Sequence, residues 1–422
     1  MISPNIQLND DKYFREIVIG RMKDDTTNTV FDKLVVPDDS VHNMTLTTDV
    51  AEPYPTLTIT VADPDGGKSV PKYQPDGYSV IQLTFSYYDT SSNKPYTMQH
   101  RFVITNCEIV SRTNEEAIFL LTAVTFYYPI LNARVAYADQ NDTSCTRHIQ
   151  SLLKTVGLPV AAPAGFNHSS RKMPFTSTAN DTVMANVNFL LKHSNTADTG
   201  IYWLCFNMLD NQYSVVSLKD LFKSKPLYFN ATTVGTKHGF SSMEALSDAE
   251  RTNNYIGGVE MYDFASQTTV HNFDYATRTW NPNVYPTKRI RQFFPRSPDL
   301  QDRIVDHLVV NVPSSYTRKG AKFEIQRANT TEQMLGDRVD KVLRYGDVLQ
   351  LDVRGFIARD VGQLFVVSAS RDDDANFKKF SGVYAITRVY STWTRGIYNQ
   401  NLSLVRVQKP SYYLQSGSIG AN

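Results

Sequence analysis

Gly67-Lys68-Ser69 carries the residue types of a phosphate-binding loop, in which glycines bare backbone N–H groups and a lysine reaches the phosphates. That loop needs a glycine five residues before Gly67, where Ala62 stands. It also needs a following helix whose N-terminus holds the anion, and Pro71 and Pro75 follow instead. The stretch reads as a hairpin loop. Asp63 and Asp65 have the first two spacings of a calcium loop, but Gly67 takes the next ligand position and no bidentate glutamate closes the set. Turn residues explain them. Asp372, Asp373 and Asp374 cannot all point at one ion from an extended segment, so they read as a solvated turn.

The eight histidines are scattered, with no HExxH or other ligand pair at helical spacing. His193-Ser194 is a neighbour pair at a helix end, without a nucleophile elbow or a third member. Glu115 and Glu116 are consecutive residues of a turn, a placement that does not flank a bound sugar. Lys288, Arg289, Arg291 and Arg296 surround Phe293 and Phe294, a mixture that suits single-stranded nucleic acid. Protein contacts enrich the same residues, and an interface linker is the preferred reading. No catalytic, cofactor-binding or metal-ligating residue is assigned. No cofactor is expected, and the chain is read as non-enzymatic.

The elements around these residues are mostly strands. Thr56–Val61 alternates, with Leu57, Ile59 and Val61 on one face, and Asp63-Pro-Asp-Gly-Gly then turns the chain. Val80–Tyr87 alternates again, while 101–110 and 117–126 read as apolar on both faces around a hairpin turn at 111–116. Near residue 140 the period changes. Thr143–Val156 has Ile149, Leu152, Leu153 and Val156 at helical spacing, with Asp142 or Thr143 as cap and Gly157 as stop. A second helix is expected over Asp181–Lys192 with Asn180 as cap. Gly200–Asn207 and Tyr213–Leu218 form a hairpin about Asp210-Asn211, and Ser217-Leu-Lys-Asp220 resembles a capping box.

Further on, Ile256–Phe264 and Thr268–Tyr275 read as strands about a Ser266-Gln267 turn, and Asn281–Pro298 as a Pro- and Arg-rich linker. Strands resume at His307–Val312, Asp347–Val353, Gln363–Ser368, Gly382–Tyr390 and Asn399–Val407. No repeat of 20 to 50 residues is present, yet the β–(α+β)–β layout suggests two related barrels. The expected division is 1–139 as an N-terminal β-barrel, 140–225 as an α+β insert, and 226–300 as a β hairpin and linker. A C-terminal β-barrel over 301–410 and a flexible tail over 411–422 complete it. The fold class is α+β, mainly β.

Composition bounds the partners. The chain has 422 residues, enough for two to four domains, and its 22 Phe and 24 Tyr favour pleated surfaces. A net charge of +1 offers no strong field to nucleic acid or an anionic membrane. Cys107, Cys145 and Cys205 form no disulfide framework and read as buried free thiols, which suits assembly in a reducing cytoplasm. The first residues lack a basic region followed by an apolar run, so no signal peptide is expected, and nowhere do 18 apolar residues run together to span a membrane.

Three stretches, taken in order, resemble the hub proteins of contractile phage tails and the N-terminal part of type VI secretion spike proteins. The first is Leu57-Thr-Ile-Thr-Val-Ala-Asp-Pro-Asp-Gly66, similar to the family's strand ending in an Asp–Gly turn. The second runs from Leu152-Leu153-Lys-Thr-Val-Gly157-Leu-Pro159 through Asn186-Val-Asn-Phe-Leu-Leu191 to Gly200-Ile-Tyr-Trp-Leu-Cys-Phe206. The third joins Leu343-Arg-Tyr-Gly346-Asp347 to Ser381-Gly382-Val-Tyr384 and Tyr398-Asn-Gln-Asn-Leu402-Ser-Leu404. Tyr390-Ser-Thr-Trp393 departs from the histidine the family often carries after that strand, and 226–300 matches nothing in it.

The resemblance implies two tube-protein-like barrels and an architectural role. A homotrimeric ring would join the tail tube protein to the central spike protein, with wedge proteins of the baseplate against the insert. DNA would pass through the channel without specific binding, and near-zero charge suits that passage. The implied location is the baseplate of a virion tail, assembled in the host cytoplasm. A β-rich receptor- or carbohydrate-binding tail protein and a tail-associated cell-wall hydrolase are the competing readings.

Overall fold

The fold was analysed from a computed structural model. The structure describes residues 14–23, 30–63, 65–89, 94–113, 116–162, 172–177, 180–194, 202–217, 221, 227–230, 267–274, 279–286, 305–312, 348–355, 359–368, 382–394 and 397–407. The chain opens with β1 (Phe14–Met22), β2 (Val30–Val36), β3 (Val41–Asp49), β4 (Thr56–Ala62), β5 (Ser79–Asp89), β6 (Lys94–Arg112) and β7 (Ala117–Thr125). A short α1 (Tyr128–Leu131) leads to β8 (Ala138–Ser144), α2 (Cys145–Thr155), β9 (Lys172–Thr176), α3 (Val183–Ser194), β10 (Tyr202–Asn207) and β11 (Gln212–Ser217). Then come β12 (Leu227–Asn230), β13 (Gln267–Asp274), β14 (Thr279–Pro286), β15 (Val305–Val312), β16 (Val348–Arg354), β17 (Leu364–Ser368), β18 (Gly382–Thr394) and β19 (Ile397–Arg406). The fold is α+β and mainly β.

Twelve strands share one sheet, in the order β12-β17-β18-β3-β4-β7-β6-β5-β1-β2, with β19 beside β18 and β16 beyond it. Alternation drives this pairing. Leu57, Ile59 and Val61 of β4 are buried, as are Ala117, Phe119, Leu121 and Ala123 of β7. Segments 101–110 and 117–126 therefore do not bury both faces as expected. β7 alternates strictly, and Ile109 and Val110 of β6 are exposed.

The same four-strand unit occurs twice. In the first half the order is β4-β7-β6-β5, and in the second β16-β19-β18-β17. Leu57↔Ala123 and Ile59↔Leu121 in the first match Leu349↔Leu404 and Leu351↔Leu402 in the second. The long strand of each unit carries a β-bulge at the same place, at Thr105 between Ile104 and Asn106 and at Thr387 between Ile386 and Arg388. Each bulged threonine donates its hydroxyl to the backbone carbonyl of the facing strand, Thr105 to Thr122 and Thr387 to Ser403, both at 3.1 Å. Among the described residues no ladder closes either half into a barrel, and the halves meet edge to edge where β18 pairs with β3.

Each half has its own apolar core. The first also takes Ile149, Leu152 and Leu153 of α2 and Val187 and Leu190 of α3. β10 lies between the two cores and serves both. Tyr202, Leu204 and Phe206 point into the first, and Trp203 and Cys205 into the second. A strand buried on both faces is apolar throughout, which explains the unbroken run Tyr202–Phe206.

Helix ends are shifted from their expected places. α2 starts at Cys145 with Ser144 as the capping residue, because Asp142 and Thr143 are occupied in β8. Its stop is as expected: Gly157 has φ +76°, and Gly157 and Leu158 donate to the carbonyls of Lys154 and Leu153. α3 starts at Val183, and Thr182, not Asn180, accepts the Ala185 N–H through its hydroxyl.

β13 to β15 form a separate three-stranded sheet in the order β14-β13-β15. β13 takes in Gln267 and residues 268–274 of the expected strand, Ser266 lies outside the described residues, and the hairpin partner of β13 among the described residues is β14, which takes in 281–286 of the expected linker. Pro282 and Pro286 are tolerated because β14 is an edge strand, where a missing N–H costs least. β15 pairs with β13 and not with the large sheet. Ile256–Phe264 and residues 218–220 of the capping-box reading lie outside the described residues. Among those described, no helix is long and apolar enough to cross a membrane.

Candidate functional site

The most concentrated polar chemistry lies where the halves meet. Along the seam β18 runs antiparallel to β3, from Arg388 opposite Asp49 to Thr394 opposite Asn43. The Arg388 guanidinium donates to the Asp49 carboxylate at 2.5 and 2.6 Å, and the Thr394 hydroxyl to Asn43 Oδ1 at 3.1 Å. Beneath it, Trp393 stacks on Tyr398 with ring centres 4.4 Å apart and on Phe85 of β5 at 5.3 Å. Gly355 packs so closely on the Tyr398 ring that an added Cβ would lie 2.1 Å from it.

Arg359, Asp360 and Gln400 form the polar centre of this joint. Arg359 donates through Nη1 to Gln400 Oε1 at 2.7 Å, and its guanidinium lies over the Phe365 ring. The Gln400 amide donates to the Tyr398 hydroxyl at 2.9 Å and to Ser391 Oγ at 3.1 Å. The Asp360 carboxylate accepts the backbone N–H of Met208 at 2.9 Å and of Val361 at 2.8 Å. Met208 belongs to the turn between β10 and β11, so one carboxylate ties the insert to the second half. On the other side buried His100 of β6 lies beside Met208 and Asn211 of the same turn, with its ring edge-on to Phe206 at 6.2 Å. Three parts of the chain thus meet at one turn.

Burial sets the electrostatics. It pushes the Asp360 carboxyl up to about 7, against the pull of the Met208 and Val361 N–H groups and the Thr48 hydroxyl. It brings Arg359 down to about 10 and His100 down to about 4, and it raises the Tyr398 hydroxyl. Asp360, Arg359 and Tyr398 line, with Leu46, Met98 and Val389, a cavity of about 20 Å³. That is room for one water. Among the described residues, the Asp360 carboxylate accepts from the chain's own N–H groups.

The residues singled out by type and spacing do not converge. The Asp63 carboxylate is buried and accepts the N–H groups of Asp65, Ser69 and Val70 at 2.8, 2.9 and 2.8 Å. Ser69 donates its hydroxyl to Asp65, and Gly67, at φ +91°, passes close to Ala117. The Gly-Lys-Ser segment is a loop wound on a carboxylate, the reverse of an anion cradle. His193 Nδ1 lies 2.7 Å from the Phe189 carbonyl, and Ser194 donates to that of Leu190, each back to its own helix. Glu116 closes the turn with Thr113 and reaches His42 at the surface. Cys145 and Cys205 are buried free thiols, whereas Cys107 is half-buried. Among the described residues no three His, Cys, Asp or Glu side chains gather as for a metal. Glu115, Asp372 to Asp374 and the basic stretch 288–296 lie outside the described residues.

Arg359, Asp360, Gln400 and His100 were not visible as a group in the sequence. The duplication did leave a trace: Phe102-Val-Ile-Thr105 and Tyr384-Ala-Ile-Thr387 are the two bulged strands.

A tail protein from Neisseria meningitidis MC58 is similar over 94% of this chain and 98% of its own length, at 10% identity and a TM-score of 0.52. The 43 kDa tail protein of prophage MuSo2 from Shewanella oneidensis is similar over 93% and 98%, at 9% identity and a TM-score of 0.52. No protein-family model and no curated protein matches the chain. The chain has the fold of these two tail proteins, over nearly the whole length of each.

Proposed function

We propose that this chain is a structural, non-enzymatic hub subunit of a tail baseplate, three copies of which form a ring between the tail tube and the central spike. The observation that carries the reading is the duplicated unit. Two similar four-strand blocks lie side by side in one sheet, joined by the β3–β18 seam. A chain built this way offers two near-equivalent faces, and three chains offer six, which is what a sixfold tube needs at a threefold spike. The full-length likeness to two tail proteins agrees with this role.

We assign the N-terminal half, residues 1–139, and the C-terminal half, 301–410, to the ring. The insert, 140–225, braces them and meets baseplate wedge proteins, and DNA crosses the channel without specific contacts, as a net charge of +1 allows. The test is direct. Purified chain is expected to bind tail tube protein in a pull-down and to give no clearing on a cell-wall zymogram. Clearing that survives repurification, or glycan binding by the isolated monomer with no affinity for tube protein, would replace the hub reading with a hydrolase or an adhesin.

A further inference from the structure

The two long strands are equivalent, but only one of them is used along its whole length. β18 pairs with β19 throughout. On its other side it pairs with β17 over its first half and with β3 from Arg388 onward. β6 likewise pairs with β7, and on its other side with β5 up to Val103. Beyond the Thr105 bulge, residues 106–112 have no strand on that side among the described residues. Among the described residues, the socket that β3 fills on β18 is open on β6.

The side chains agree. With Thr105 set on Thr387, Cys107 matches Val389 and Ile109 matches Ser391. Val389 and Ser391 are covered, at 2% and 5% exposure. Ile109 and its neighbour Val110 stand 58% exposed, side by side on an unpaired edge. Natural sheets blunt such edges, and two apolar residues at a bulge leave this one a template for another strand.

We infer that residues 106–112 of β6 receive the β16 end of the sheet from a second copy of this chain, repeating between chains the seam that β3 and β18 make within one. The inference rests on the ring reading and deepens it by naming the contact. In the seam within the chain, β3 stands beyond β4, and β16 is the strand equivalent to β4. The contact is head-to-tail, with N-terminal half against C-terminal half, so each chain offers one donor end and one socket. Such contacts propagate into a closed ring when the rotation closes.

Ile109→Lys and Val110→Lys, made separately in the full chain, test the contact, with Val35→Lys, exposed on β2 of the same half, as control. Native mass spectrometry reads assembly, circular dichroism reads folding, and hydrogen exchange reads the amides of 106–112. The expected result is loss of the assembled species in both β6 variants with the melting temperature of the diluted monomer unchanged, and normal assembly of the Val35→Lys control. In wild type those amides of 106–112 that point away from β7 exchange fast in the diluted monomer and are slowed in the assembly. Assembly of both β6 variants as in wild type would overturn the inference and leave the ring standing. Slow exchange in the monomer would overturn it too, since the chain would then cover this edge itself. A wild type that forms no ring at any concentration contradicts the ring reading as well.

Discussion

Asp360 holds the turn at Met208, His100 is buried beside it, and the two carry opposite pH dependence. Asp360 has a folded pKa of about 7, above its ordinary 3.8, so the folded chain holds a proton that the unfolded chain has released. The stability it contributes is full below 3.8 and is lost as pH rises through about 7. His100 is held down to about 4 from 6.5, so its contribution is full above 6.5 and is lost as pH falls towards about 4. In wild type the two trends oppose each other between pH 4 and 6.5. Separate variants should expose them. Asp360→Asn is expected to leave a melting temperature that falls steadily with acidification below pH 6.5. His100→Gln is expected to leave one that rises as pH is lowered from 8 to 5. Each kcal/mol should appear as about 2 °C or somewhat less in a chain longer than the 250 residues for which about 2–4 °C is usual. Flat profiles in both variants would mean that water reaches the joint freely.

At the scale of elements, the paired bulges give a matched experiment. Thr387 is buried and Thr105 is exposed, yet each makes the same hydrogen bond. Thr387→Val is expected to cost about 1–2 kcal/mol in denaturant unfolding, and Thr105→Val only about 0.5 kcal/mol, because water replaces an exposed partner. Equal costs in the monomer would show that the two strands are not distinguished by cover. These strands also mark what the sequence could reveal. Period-2 alternation located β4 and β5 through Leu57, Ile59 and Val61 and through Ile81, Leu83 and Phe85, all buried, whereas β7 was read as apolar on both faces although it alternates. β10 was found from its unbroken apolar run. The starts of α2 and α3 were misplaced, since a capping side chain identifies itself only once its partner N–H is fixed. β14 was taken for a linker because Pro282 and Pro286 signal a loop wherever the edge position is unknown. The joint was illegible for a plainer reason. His100, Met208, Asp360 and Gln400 are brought together by the β3–β18 seam and the placement of the insert, and no local spacing encodes that pairing.

On the scale of the whole molecule, the chain is two versions of one sheet unit with a brace between them. The Gly-Lys-Ser loop and the His-Ser pair each resolve into local structure, while the described polar centre lines a space of about 20 Å³. What distinguishes the molecule is therefore its edges. One long strand is completed within the chain, and among the described residues its counterpart is left open with Ile109 and Val110 at the surface. A duplicated subunit with one filled and one open seam is suited to alternate its halves around an axis. Electron cryomicroscopy of the purified chain, viewed end-on, tests this most directly. The account predicts a closed ring of three chains in which six similar lobes alternate around an open centre. A monomer at all concentrations, or a closed dimer whose like halves face each other, would contradict it.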